Sequence, residues 1–199
     1  MRPRLLAGVV TFVAALSSAL PALAQVETAD APHAPAFAEQ VEQRPAIANF
    51  EGRKIDLARG WRGATACVVW RQQGILDCFR TRAEGKALVD QLNAGRAPAA
   101  ANGGDEAYGY QCGGPLELYR NTWWGGQAIW FYDEGYWQNL GDYGFDNATS
   151  SYAVGPCYAH LAENNWGGGW WYPGDTSPYG SAAWMSSGWD NRVSSIFIE

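Results

Sequence analysis

Two eight-residue strings constrain this chain more than any other feature. Gly144-Phe145-Asp146-Asn147-Ala148-Thr149-Ser150-Ser151 and Gly188-Trp189-Asp190-Asn191-Arg192-Val193-Ser194-Ser195 lie 44 residues apart, share five identical positions and keep an aromatic ring at a sixth. Upstream, Trp124-Gly125-Gly126 answers Trp166-Gly167-Gly168 at an offset of 42, so the copies differ by two residues of loop. A duplication this regular implies two equivalent units packed on each other, because neither buries its apolar face alone. The runs 116–119, 128–132, 158–161, 170–172 and 195–198 are short and apolar, and Gly, Asn, Asp and Ser clusters separate them. That punctuation predicts an antiparallel β domain over residues 106–199. Nine of the eleven tryptophans fall there, enough large rings to build a core from short strands.

The preceding half is organised differently. Residues 1–24 carry Arg2 and Arg4, an apolar stretch, and then Ala22-Leu23-Ala24, the pattern of a cleaved secretory signal. No later run approaches the roughly 18 apolar residues of a membrane span, so the product is expected to be secreted, with no membrane partner once the signal is removed. Residues 25–48, rich in Ala, Pro, Glu and Gln, read as a flexible leader. Residues 49–95 read as a small hairpin-helix unit, and 96–105 as a linker. Within the small unit, Val68-Val69-Trp70 and Ile75-Leu76 flank a Gln72-Gln73-Gly74 turn, which sets Cys67 opposite Cys78. Thr81-Arg82-Ala83-Glu84 has capping-box spacing and opens a helix that Gly95 can close, with Leu88 and Leu92 on its inner face.

Export also governs the cysteines. Cys67, Cys78, Cys112 and Cys157 lack a CxxC pair and meet only two histidines in the chain, so two disulfides are expected rather than a zinc site. With Cys67–Cys78 set by the hairpin, Cys112–Cys157 follows by elimination. The chain has 14 Lys+Arg against 20 Asp+Glu, a formal charge of −6; removing the signal takes it to about −8. No nucleic-acid partner is expected, since neutralising phosphates needs a cationic surplus. No enzyme is expected either: the sequence has no Gly-x-Ser-x-Gly elbow, paired-histidine metal motif or phosphate loop. Cys157 and His160 lie three apart, but export favours an oxidised Cys157.

Tyr119, Trp124, Gly126 and Ser151 in the first copy, with Leu161, Trp166, Gly168 and Ser195 in the second, resemble the Greek-key motif of the βγ-crystallins. The resemblance implies an all-β, two-motif Greek-key sandwich, preceded here by the disulfide hairpin and short helix. Leu161 departs from the family's aromatic at that corner. The strings 146–151 and 190–195 are similar to the (Asn/Asp)-(Asn/Asp)-x-x-(Ser/Thr)-Ser calcium signature of microbial members. By that resemblance Asp146, Asn147, the Ala148 carbonyl and Ser150 serve from one string, and Asp190, Asn191, the Arg192 carbonyl and Ser194 from the other. Each string lends an Asx side chain across to its partner's site, and two calcium ions are implied. Ser151 and Ser195 are assigned structural roles. Calcium takes roughly 6–8 oxygen ligands, more than one string supplies. With one carboxylate per string, and the Arg192 charge beside the second, the affinity expected is that of extracellular modules.

Two other readings attach to the same residues. The chain also resembles secreted bacterial inhibitors of metallopeptidases, in fold, in its two disulfides and in related Asn-Asp-x-x-Ser-Ser strings, which implies an extracellular metallopeptidase as partner. Trp123, Trp124, Trp166, Trp170, Trp171 and Tyr172 cluster around the two hairpins and suit a carbohydrate-binding module, provided one ring of each adjacent pair faces solvent.

Overall fold

The structure is a computed structural model that describes residues 45–95 and 112–199. The expected signal segment, residues 25–44 of the leader and the linker lie outside the described residues. The first strand, β1 (Ile47–Phe50), begins within the stretch expected as leader, because Ala46 and Ala48 are fully buried. Small apolar residues in a polar context look like linker in sequence, yet here they are the inward positions of an alternating strand. β1 returns through β2 (Arg53–Asp56), and the chain then forms the hairpin β3 (Ala66–Trp70) and β4 (Ile75–Phe79). Cys67 lies directly opposite Cys78, and the two form one disulfide; Cys112–Cys157 is the other.

The helix α1 (Arg82–Ala94) starts where the capping box predicts. Thr81 Oγ1 accepts from the Glu84 amide, and the Glu84 carboxylate accepts from the Thr81 amide at 2.9 Å. Its buried line runs through Gly85 and Val89, with Leu88 and Leu92 half-buried beside them.

The remaining strands form two four-element motifs. The first comprises β5 (Leu116–Asn121), β6 (Gly125–Phe131), β7 (Gln138–Asn139) and β8 (Ser151–Ala153). The second comprises β9 (Ala159–Ala162), a bridge at Trp171 to Ala162, β10 (Ser181–Ala182) and β11 (Ser195–Ile198). β7 leaves its own motif to pair with β11, and β10 leaves its own to pair with β8. This reciprocal exchange of third strands makes a two-motif Greek-key sandwich. One sheet has the order β10-β8-β5-β6 and the other β7-β11-β9. The exchange also explains why β7, β8 and β10 escape a reading of sequence: at two or three residues they carry no period, and long-range pairing alone makes them strands.

The first sheet continues past β6. β3 pairs with β6 in parallel, from Ala66↔Ala128 to Val69↔Phe131, and the order runs on through β4, β1 and β2 to eight strands. β3 is buried at all five positions because both its faces are covered. Cys67 and Val69 join the core between the sheets with Leu118, Ile129, Phe131, Phe145, Tyr152, Leu161 and Ile196. Ala66, Val68 and Trp70 face the other way, into a second cluster with Val89 of α1, Ala128, Trp130 and Tyr132. Fully buried Asp133, just after β6, accepts from the Arg71 and Gln72 amides at 2.8 Å each and so holds the β3–β4 turn.

Candidate metal centre

The two Asp-Asn strings fold as matching loops. Gly144 and Gly188 open them at φ +62° and +83°, and Asn147 and Asn191 also take left-handed backbone, at +50° and +55°. Asn tolerates that region better than most residues because its short side chain bonds locally. Here Asn147 Nδ2 donates to Asp146 Oδ2 at 3.1 Å, and Asn191 Nδ2 to Asp190 Oδ2 at 3.2 Å.

The loops then cross. The Asn147 amide donates to the Val193 carbonyl and the Asn191 amide to the Thr149 carbonyl, both at 3.0 Å. Ser150 Oγ donates to Asn191 Oδ1 at 3.4 Å, so a hydroxyl of one string meets the amide oxygen of the other. Ser150 and Ser194 are buried and are held by amide bonds to the Tyr119 and Ala162 carbonyls. Asp146, Asn147, Asp190 and Asn191 are exposed, while Ala148 is buried and Arg192 half-buried. Ser151 and Ser195 sit behind the loops. Each hydroxyl donates to a corner carbonyl (Asn121 at 2.7 Å, Asn164 at 2.6 Å) and accepts a corner amide (Trp124 at 3.1 Å, Gly167 at 3.0 Å).

Those partners set the alignment of the copies. Trp123, Trp124 and Gly126 have φ of +57°, +53° and +72°; Trp166, Gly167 and Gly169 have +59°, +74° and +73°. At the corner, therefore, the copies correspond at an offset of 43, one residue from the match of the Trp-Gly-Gly strings. Ala162, not Leu161, stands where Tyr119 does. Packing explains the slip. A Cβ on Gly167 would lie 2.3 Å from the Trp137 ring. Tyr152 faces Ala182 on β10 as Ile196 faces Gln138 on β7, so Ser181 takes the place of Trp137 in the other half. One half puts its tryptophan on the corner, the other just before the exchanged strand.

The loop charges are arranged with the same exchange. In the first loop the guanidinium of Arg120, from β5, donates to the Gly144 carbonyl and lies 4.8 Å from the Phe145 ring centroid. In the second loop Arg192 donates to the Gly188 carbonyl at 3.1 Å and lies 5.3 Å from the Trp189 centroid. Glu163, at the position equivalent to Arg120, binds Arg192 at 2.6 Å. The Arg192 hydrogen bond, with a second from the Trp170 amide, holds the Glu163 carboxyl below the ordinary glutamate range. The positive charge that the sequence places beside the second site is thus turned onto a carboxylate.

The segment between β2 and β3 supports only the first loop. Trp61 Nε1 donates to the Tyr143 carbonyl at 2.8 Å and its ring lies 5.7 Å from that of Phe145. The Leu57 carbonyl comes so close to Gly144 that a Cβ there would sit 2.3 Å from it, whereas Gly188 has open space. In the sequence this buttress leaves one signal, a lone Trp61 in a stretch otherwise short of large side chains.

Carboxylate, amide carbonyl, hydroxyl and peptide carbonyl are all hard oxygen donors, the set that suits calcium rather than zinc. Among the described residues no group of three or more His, Cys, Asp and Glu side chains is placed to hold a metal. Any ion at the loops therefore relies on amide, hydroxyl and peptide oxygens beside the two aspartates. Elsewhere, Cys157 is bonded to Cys112, so the Cys157/His160 pair has no thiolate, and His160 meets Glu199 at 2.7 Å.

No protein-family model and no curated protein matches the sequence significantly. Among solved structures, the N-terminal domain of protein S is similar at 21% identity, covering 43% of this chain and 94% of that one, with a TM-score of 0.36. A βγ-crystallin from Ciona intestinalis is similar at 17% identity, covering 43% and 100%, with a TM-score of 0.35. A βγ-crystallin from an archaeon is similar at 20% identity, covering 43% and 96%, also with a TM-score of 0.35. The strand exchange described above defines the architecture independently of these figures. The fold is a βγ-crystallin-like sandwich. Its two motifs are joined to a four-strand and one-helix extension that continues the first sheet.

Proposed function

We propose that the protein is secreted and binds two calcium ions, one at each end of the crossed Asp-Asn loops, and that the ions lock the two motifs together. One observation carries the reading: the strings meet reciprocally, amide to carbonyl in both directions, with Ser150 of one against Asn191 of the other. In this reading the first site draws on Ser150, the Ala148 carbonyl and the Asx side chains of 190–191. The second draws on Ser194, the Arg192 carbonyl and the Asx side chains of 146–147. The ion supplies cross-linking charge between loops that otherwise share two peptide hydrogen bonds. Two disulfides support export, since such bonds persist in oxidising compartments. The resemblance to metallopeptidase inhibitors rests on the same strings and points to no loop of its own, so calcium binding takes precedence.

The test is isothermal titration of the oxidised protein with calcium, magnesium as control, for wild type and for Asp146→Ala and Asp190→Ala. Two calcium-specific events are expected in the wild type. Each variant should lose or weaken binding while its metal-free far-ultraviolet spectrum is unchanged. Calcium heats identical in the wild type and the double variant would refute the assignment.

A further inference from the structure

The first corner carries a feature that the fold does not require. Trp123 and Trp124 are consecutive bulky residues in left-handed backbone, where side chains clash with their own carbonyls. The second copy meets the same two positions with Trp166, half-buried, and Gly167. Trp123 gains little burial in return for its strain: 74% of it is exposed. Its amide donates at 2.6 Å to the Ala183 carbonyl, which ties its backbone to the bend just after β10, where the following residue, Trp184, is 66% exposed. Trp124 is the fixed member. Its Nε1 donates to the Tyr152 carbonyl at 3.3 Å, its carbonyl accepts from Arg82, and its ring meets Trp123 edge-on at 6.5 Å. Strain kept in rings that face solvent is the pattern of a surface selected for contact rather than for stability.

We propose that Trp123 and Trp184 form a platform that stacks the pyranose rings of a neutral polysaccharide. The composition around them selects that ligand. Residues 121–132 and 176–189 contain no Asp, Glu, Lys or Arg, and offer Asn, Thr, Ser and Gln beside the indoles. A partner matched to this surface has flat apolar faces and uncharged hydroxyls. An anionic membrane or a nucleic acid would call for a cluster of cations; Arg82 reaches this corner, but its guanidinium is bonded to the Trp124 carbonyl. The proposal is independent of the calcium reading, since neither tryptophan supplies a metal ligand.

Affinity electrophoresis of the full oxidised chain tests it, in native gels cast with hydroxyethylcellulose, mixed-linkage β-glucan or galactomannan. At least one polymer should retard the wild type. Trp123→Ala and Trp184→Ala should each weaken retardation about fivefold or more, the scale of an aromatic contact, and the double variant should run as in a plain gel. Trp123→Gly separates contact from fold: it relieves the left-handed strain, so retardation should fall while the melting temperature holds or rises. No retardation by any of the polymers, or equal retardation of wild type and double variant, overturns the proposal. So does co-sedimentation with phosphatidylcholine vesicles that depends on these residues in a protein no polysaccharide retards.

Discussion

Thr149 and Val193 occupy equivalent places in the two strings, and both are fully buried. The threonine hydroxyl has no hydrogen-bond partner there, and an unmet buried hydroxyl costs about 1–3 kcal/mol. Thr149→Val should therefore stabilise the protein by about 1 kcal/mol, read as a higher denaturation midpoint at unchanged slope. Sequence pairing alone identifies the site of this substitution, but not its sign; the sign comes from burial and the missing partner. Ser151 and Ser195, two residues on, were assigned structural roles by the family resemblance, and their hydroxyls do bridge corner amides and carbonyls. The correspondence of Tyr119 with Ala162 was not legible. It depends on Trp137 filling the space over Gly167, a contact between strands that sequence spacing does not record.

At the scale of elements, the start of α1 was readable because capping is local: Thr81 and Glu84 satisfy each other's amides within one turn, whereas Gly95 follows the last turn in right-handed backbone, at φ −79°, and not as a left-handed cap. The face the helix buries was less readable. Leu88 and Leu92 carry the hydrophobic signal, yet Gly85 is the closest approach, where a Cβ would fall 2.5 Å from the Trp130 ring. Gly85→Ala raises helix propensity by about 1 kcal/mol but forces α1 off the sheet. A net loss of about 1–3 kcal/mol is expected from overpacking, measured by chemical denaturation. A second element-scale prediction concerns the loop that carries Arg192. The Glu163 carboxyl is held below its ordinary range, so its contribution is present above the unfolded glutamate value and is lost as pH falls through the lowered one. Between pH 6 and 3 the wild type should lose melting temperature more steeply than Glu163→Gln, which lacks the ion pair at every pH. Parallel curves would show that the pair contributes nothing to stability.

At the scale of the whole molecule, duplication is the organising fact, and it was readable because the two strings preserve their polar residues. Polar side chains at a shared junction are constrained by position as well as by burial, whereas rings drift, in the core as Phe145 against Trp189 and at the corner as Trp124 against Gly167. The parallel pairing of β3 with β6 was invisible for the opposite reason: nothing in Ala66–Trp70 names its partner. That pairing, with Leu57 and Trp61 beneath Gly144, makes the two loops unequal in support. The central claim is that calcium joins the two motifs through these loops, and a thermal melt of the oxidised protein with and without millimolar calcium, magnesium as control, tests it most directly. Calcium at a hundred times its dissociation constant adds about 2.7 kcal/mol per site, so a calcium-specific rise of several degrees is predicted, lost in the Asp146→Ala/Asp190→Ala double variant. The same melting temperature with calcium, with magnesium and with neither would contradict the account and leave the loops as turns that hold the two motifs by their peptide bonds alone.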